Sequence, residues 1–558
     1  MGTAALLPSL KTGYTKYESF IRKFVYTDYY LILVSLLTYI GWVSKCTPFG
    51  ITAAVLLMCA VLLGSDDVLP LSINMFGAML VIWSEEPSDF LYMWPILIPL
   101  ILCLIIFIVK NCRHRFRIGK MLFPQIAVSV ALLLGGAGVA SSQEYVRGLP
   151  NVLLLGIGVL AMYIFYDHFL KRDCKRDYAL YLSRVMMYIG IVICLELITE
   201  ILRSGIPMSQ WDTAYWRIGW GSRNNIATFL MLTAGLTFYL STRYRHGWIY
   251  LAIGLAQYFC IIMTFSRGGI IFGMISGAFA LAFTIVKAKN KKRQLVYTAV
   301  ILGIVLLLYL IFMDKINGMI AALIDRGMGS SGRTDLYKEA WSLFKAHPFL
   351  GVGMGYVGIY EGIHLDLNVI GIYWFHSTLF QVLASAGTVG IIAYLYYYGA
   401  RLYVLFKNIK NSFNLFILAI WIGFEGYSMI DTGTFVPYPN MMLIIVMTLL
   451  LELNMTGDKK SEGYVTAYNS TTRRGKAISF ARELDAVCES EYKRDCVSDC
   501  ESEYKRGYES DCESNYDSDC ESKYERDCEN DCKSEYKHDC KREYESNYKN
   551  EYESDCER

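Results

Sequence analysis

Apolar runs of 15–25 residues, separated by short polar segments, recur from Tyr29 to Leu453. A helix rises about 1.5 Å per residue, so runs of this length match a hydrocarbon core about 30 Å thick. They predict fourteen spans: 29–44, 50–64, 68–83, 91–109, 123–140, 149–169, 178–202, 225–241, 247–264, 268–287, 295–313, 377–400, 413–430 and 439–453. The short 50–64 and 68–83 runs also fit one re-entrant pair, which would give twelve. The expected fold is all-α and polytopic, with residues 1–28 as an inner N-terminus and 29–453 as the transmembrane domain.

Charge orients this array. With the N-terminus in the cytoplasm, the inner segments 1–28, 110–120, 171–177, 242–246, 287–293 and 401–410 hold 23 Lys and Arg in 68 residues. The outer segments hold 11 in 115. Basic residues concentrate in cytoplasmic loops, so the chain is expected to lie this way round. Two outer loops exceed a tight connection, 203–224 and 314–376. The second carries a helical pattern over Thr334–Lys345, with Leu336, Ala340, Trp341 and Phe344 on one face, Thr334 as N-cap and Pro348 as its end. Gly351, Gly353 and Gly355 then suit an irregular turn where backbone approaches closely.

Composition agrees with the pattern: 54% of the 558 residues are hydrophobic and the mean hydropathy is +0.33. Met1–Lys23 is too polar for a cleavable signal peptide. Net charge is +2, so bulk charge points to no partner, and no nucleic acid is expected. Nine of the sixteen cysteines fall in the last 71 residues, and the rest are scattered. That is neither a disulfide framework nor a zinc site, and no metal or cofactor is expected. From Cys488 to Cys556 every fourth residue is Cys or Tyr, eighteen positions in succession among mostly polar residues. Residues 454–558 are therefore expected to be a disordered, low-complexity cytoplasmic tail.

The candidate chemistry lies at the outer ends of spans. Arg267, in Thr264–Gly269, has almost no loop to occupy, and a cation at that depth needs an anionic partner or a wet cavity. Arg217, Arg333 and His376 border the same side. An arginine fork matches phosphate oxygens, and a histidine can take a proton near neutral pH. This suits transfer of a group away from a lipid diphosphate, with the arginines neutralising charge on the leaving group and His376 activating a hydroxyl. Arg223, Asn224, Asp335 and Glu425 are further substrate-binding candidates, and Asp431 borders the last outer loop. The plainer reading of Arg217 and Arg223 is snorkelling to headgroups; for Arg333 it is a surface charge at a helix start.

Three segments carry a resemblance: Thr264-Phe-Ser-Arg-Gly-Gly269; Gly332-Arg-Thr-Asp335 with Trp341 and Ala346-His-Pro-Phe-Leu-Gly-Val-Gly353; and His376 with Gly387-Thr-Val-Gly390. Over about Trp216–Ile392 the chain resembles the O-antigen ligase and polysaccharide polymerase superfamily. The resemblance implies a metal-independent, inverting glycosyltransferase of the cytoplasmic membrane. Its donor would be an undecaprenyl-diphosphate-linked oligosaccharide on the outer face, and its acceptor a glycan or lipid-linked glycan. Other polysaccharide-assembly proteins would be its partners. It also implies catalytic roles for Arg267, Arg333 and His376, with Arg217 a looser match. Ser377 departs from the family, where Asn commonly follows the histidine. A lipid-linked oligosaccharide flippase is the competing class. Crowding of polar residues on one face and the absence of a repeat within the spans favour the enzyme.

Overall fold

The computed structural model describes residues 15–456, apart from 84–86, 113–117, 142–148, 150–151, 172–175, 208–209, 212–215, 312, 315–316, 319–320, 322–332, 357–372 and 436–438. The expected tail therefore lies outside the described residues, as do parts of the long outer loop.

The apolar runs become helices: α1 Asp28–Val43, α2 Thr47–Gly64, α3 Leu71–Leu80, α4 Leu97–Asn111, α5 Leu122–Leu134, α6 Val152–Phe169, α7 Tyr178–Ser204, α8 Arg223–Arg243, α9 Gly247–Met263, α10 Arg267–Lys287 and α11 Lys291–Ile311. Then follow α12 Arg333–Ala346, which is too polar to be a span, α13 Thr378–Lys407, α14 Ser412–Ser428 and α15 Pro439–Thr456. Among the described residues, seven helices are long and apolar enough to cross a membrane on length and composition alone. An eighth span would join Thr15–Phe24 to α1 across an 80° bend. The protein is a polytopic, all-α membrane protein, and each of the fourteen apolar runs coincides with a helix.

Hydrogen bonds and ion pairs sort the connections into two faces. On one, Lys110 pairs with Glu18, Lys171 with Asp66, Arg176 with Asp67 (3.2 Å) and Arg243 with Asp177 (3.3 Å). On the other, Trp42 Nε1 donates to the Ile218 carbonyl (3.0 Å) and Arg203 to that of Val43 (2.6 Å). The loops predicted as inner meet one another, and so do those predicted as outer. Asp67 and Thr47–Val81 lie on opposite faces (Thr47 Oγ1 to Val81 O, 3.1 Å), so α2 and α3 form a hairpin that runs between them.

Helix α8 is the centre of the packing. Every residue from Ile226 to Thr242 is buried, and α8 packs on α7, α9, α10 and α14. Its hydroxyls turn back onto its own carbonyls, as Thr228, Thr233 and Ser241 do, so a polar helix can sit at the core. Its first residues, Arg223 and Asn224, are thereby fixed at the face predicted as outer.

Three boundaries differ from expectation. Helix α5 stops at Leu134, because Gly135–Gly138 turns away to meet the outer loop (Gly136 N to Leu350 O, 2.9 Å). Helix α12 begins at Arg333, so Thr334 is inside it and cannot be its cap. Helix α13 continues to Lys407, so Arg401 is a buried residue of a span and not a charge of an inner loop.

Helix α13 is broken at Gly387 (φ 59°, ψ −151°). The backbone groups freed by the break would be costly in an apolar layer. The outer loop receives them: Val352 and Gly353 N–H donate to Ala384 and Ser385 carbonyls (2.8 and 2.9 Å). Thr388 and Val389 N–H donate to Pro348 and Phe349 carbonyls (2.8 and 3.2 Å). The glycine-spaced turn thus docks α12 onto the kink. A Cβ at Gly387 would lie 2.6 Å from the Phe349 carbonyl carbon, besides straining a positive φ. Gly387→Ala is expected to destabilise the fold by about 3 kcal/mol, read as a lowered Tm of detergent-purified protein. An unchanged Tm would remove the docking role.

Candidate functional site

Four helix starts converge on one carboxylate at the face predicted as outer. Asp431 follows the end of α14 and is buried. From α8, Asn224 Nδ2 donates to its Oδ2 (3.0 Å). From α12, Arg333 Nη2 donates to the same oxygen (3.0 Å), while Nη1 donates to the Ile430 carbonyl (2.7 Å). From the residue before the Ser377 cap of α13, His376 Nδ1 lies 3.2 Å from Oδ1. From the cap of α10, Ser266 Oγ donates to Asn224 Oδ1 (2.9 Å), so it joins the network through the asparagine. Tyr427 Oη and the Thr432 N–H complete the shell at 3.0 and 2.8 Å.

The local chain explains why these groups meet. Ser266 caps α10 by accepting from Gly269 N–H (3.3 Å), which places Arg267 in the first turn. Gly268 lies directly against Tyr427 and Ile430, where a Cβ would come within 2.8 Å of both side chains. The Arg267 backbone is thus held beside Asp431's own segment. Ser377, which departs from the family pattern, caps α13 by accepting from Phe380 N–H. Two non-glycine residues here have positive φ, Phe265 (52°) and His376 (49°). Backbone strain of this kind is retained where surrounding contacts over-determine it, and it gathers at functional sites.

The electrostatics are specific. Burial opposes ionisation of Asp431, but the His376 hydrogen bond and charge, with Arg333, hold its carboxyl below the ordinary value. An ionised Asp431 makes His376 Nδ1 the protonated ring nitrogen, which leaves Nε2 to accept a proton. The His376 side chain is 43% exposed, so the ring is within reach of a ligand. Arg333 spends two donors on protein and keeps three among the described residues. The helix N-termini of α8, α10, α12 and α13 add partial positive charge at the same point, an arrangement suited to phosphate.

Tyr337, one helical turn beyond Arg333, was no candidate in the sequence. Its hydroxyl donates to the His376 carbonyl (2.9 Å), and its ring stacks on Phe380 at 4.6 Å. Tyr337→Phe keeps the stack and removes the tether to a strained residue. Turnover is expected to fall about tenfold with little change in KM or Tm; unchanged turnover would make Tyr337 a packing residue only.

The other candidates are dispersed. Arg223 opens α8 and is half-buried beside Asn224. Arg217 is exposed and forms an antiparallel bridge with Ser222 across a tight turn. Asp335 is paired with Lys338 (3.0 Å), and both are exposed. Glu425 is paired with Arg401 on α13 (2.7 Å), not with an outer-face arginine.

Fold and site together define a polytopic membrane protein with a carboxylate-organised, arginine- and histidine-bearing polar site at one end of its spans. Residues 249–395 match the family model for O-Antigen ligase, a segment that contains Arg267, Arg333 and His376 but neither Asn224 nor Asp431. The chain is also 25% identical over 328 residues to "Teichuronic acid biosynthesis protein TuaE" of Bacillus subtilis (strain 168). That match covers 55% of this chain, and the chain spans 66% of the length of that relative. The two findings support relationship to the O-antigen ligase-related family.

Proposed function

We propose that the protein is a membrane glycosyltransferase that extends or transfers a surface polysaccharide. Its donor is a glycan linked to a polyprenyl (undecaprenyl) diphosphate, and its acceptor is another glycan or lipid-linked glycan. The observation that carries this reading is the Asp431–His376 pair set among Arg333, Arg267 and four helix N-termini. A base and a phosphate cradle side by side are what glycosyl transfer from a lipid diphosphate requires.

In the proposed step the acceptor hydroxyl gives its proton to His376 Nε2. Its oxygen bonds to the anomeric carbon as the bond from that carbon to the diphosphate oxygen breaks. The polyprenyl diphosphate leaves with the bonding pair, and Arg267, Arg333 and the helix ends receive its charge. Asp431 holds the resulting imidazolium, as carboxylates do in acid–base pairs generally. One-step displacement on the face opposite the leaving group inverts the anomeric centre. The site faces outward across the cytoplasmic membrane, with both termini inside, a sidedness supported by the 23-to-11 division of basic residues.

Two measurements test the reading. A single cysteine in place of Lys338, in a chain lacking its native cysteines, is expected to label from outside intact cells; protection would reverse the topology. The glycan profile of cells lacking the gene tests the activity. Single repeat units accumulating on lipid, without polymer, mean a polymerase. Full-length chains stranded on the carrier mean a ligase, and an unchanged profile removes both.

A further inference from the structure

A polar cavity lies on the face predicted as inner, opposite the Asp431 site. Its volume is about 330 Å³, and Arg22, Asp66, Lys110, Asn111, Phe169 and Lys171 line it. That is room for a compact headgroup, at the small end of the roughly 300–1,000 Å³ of ordinary ligand pockets. Four segments form it. Arg22 belongs to the short helix Thr15–Phe24, which an 80° bend turns crosswise to α1. Tyr17 Oη donates to the Ala60 carbonyl (2.9 Å) and Ile21 lies against Gly64, so this helix is fixed across the end of α2. Asp66 follows α2, Lys110 and Asn111 end α4, and Lys171 follows Phe169 at the end of α6.

The walls are unequally charged. Lys171 is paired with Asp66, and Lys110 with Glu18. Arg22 stands between the two carboxylates, 3.5 Å from Glu18 and 3.7 Å from Asp66. Both distances exceed the roughly 2.7–2.9 Å of a charge-assisted hydrogen bond. Neighbouring Arg176 has a carboxylate of its own in Asp67 (3.2 Å). Burial opposes ionisation of Asp66, but the Lys171 hydrogen bond and the charges of Lys171, Arg22 and Arg176 hold its carboxyl below the ordinary value. Among the described residues, the walls and Glu18 thus set three cations against two carboxylates. The Arg22, Lys110 and Lys171 side chains are 38%, 28% and 35% exposed, so an outside ligand can reach them.

The surface beside the cavity indicates what that ligand is. Helix α4 is the least buried of the seven membrane-length helices. Its Ile98, Ile101, Leu102, Ile105 and Val109 recur at helical spacing and are all exposed, a lipid-facing stripe that ends at Lys110. Basic pockets between spans on the cytoplasmic side suit anionic headgroups. We propose that this cavity holds the headgroup phosphate of an anionic phospholipid, bound by Arg22, Lys110 and Lys171, with the acyl chains along α4. The one positive charge in excess selects a lipid of net charge −1 over a zwitterionic one. The stripe favours a lipid over free phosphate, which would use the cations alone. The site is independent of the reaction at Asp431, and its test does not read activity.

The test uses purified, delipidated full-length protein in neutral detergent. The probes are phosphatidylglycerol, phosphatidylcholine and inorganic phosphate, with binding read by native mass spectrometry. Wild type is expected to bind one phosphatidylglycerol at least about tenfold more tightly than phosphatidylcholine, and inorganic phosphate at equal concentration is expected not to displace it. Lys110→Gln leaves Glu18 with Arg22, and Arg22→Gln leaves Glu18 with Lys110 and Asp66 with Lys171, so both variants are expected to fold. Each is expected to bind phosphatidylglycerol about fivefold more weakly. Lys338→Gln, which removes an exposed charge from the other face, is expected to change it less than about twofold. Equal affinity of wild type for the two lipids would overturn the proposal, and that comparison decides even if a variant fails to fold. Displacement by inorganic phosphate at equal concentration would also overturn it, in favour of a free-anion site. Wild-type affinity in both Lys110→Gln and Arg22→Gln, or equal weakening in Lys338→Gln, would leave only a general attraction of lipid to basic protein.

Discussion

Asp431→Asn is expected to lower glycan transfer about a thousandfold while the protein remains folded in the membrane. The carboxylate accepts from Asn224, Arg333, Tyr427 and the Thr432 N–H, and faces His376 Nδ1. An amide of the same shape keeps part of this geometry. It presents one acceptor where the carboxylate has two, and its NH2 would face a donor. If it turns its oxygen to Arg333, its nitrogen faces His376 and favours the tautomer protonated at Nε2, which cannot accept the acceptor's proton. It also leaves Arg333 and any imidazolium without their shared counter-ion. The stability cost is about 2 kcal/mol, less than that of leaving the arginine without any partner. Its pH dependence follows from the sign of the shift. The folded carboxyl titrates below its ordinary value, so its contribution is fully present above about pH 4 and is lost as pH falls through the lower folded value. The Tm difference between wild type and Asp431→Asn should therefore shrink as pH falls below about 4. Transfer by the variant within threefold of wild type would remove Asp431 from the chemistry.

Arg267→Lys carries the second large effect. The lysine keeps the charge at the first residue of α10 but replaces a fixed fork by a flexible point charge. A diphosphate leaving group gains charge only as the glycosidic bond breaks, so a group aimed at it acts mainly on kcat. We expect kcat to fall about a hundredfold, with KM for the lipid-linked donor changed by less than about threefold. A rise in KM alone would make Arg267 a binding residue rather than one that stabilises the departing diphosphate. Asp335→Ala is the control. Its carboxylate is paired with Lys338 in solvent, and transfer within about twofold of wild type is expected.

The spans were legible because a bilayer imposes length and apolarity on each run separately, before any tertiary contact is known. Arg267, Arg333 and His376 were legible as candidates for the same reason: a charge at the end of an apolar run needs an explanation. What holds them together was less so. In the sequence Asp431 only borders the last outer loop, since a carboxylate beyond a helix end looks like any solvated loop charge. Its five partners come from segments as far apart in the chain as Asn224 and Thr432. Arg401 is disguised for a related reason. It stands at the head of a run ending in Lys407 and Lys410, so it counted with the inner-loop charges, yet α13 continues past it and rings from two helices enclose it. The role of Gly387 was similarly hidden, because a broken helix needs a docking loop from another part of the chain to satisfy its backbone.

The most direct test of the account is reconstitution. Purified full-length protein in nanodiscs would be given a polyprenyl-diphosphate-linked repeat unit, and released polyprenyl diphosphate and lengthened glycan would be measured together. The account predicts both products in equal molar amounts for the wild type and neither for His376→Ala at pH 7. Folded wild-type protein that releases no polyprenyl diphosphate, or His376→Ala that releases it at the wild-type rate, would contradict it and favour the competing flippase reading.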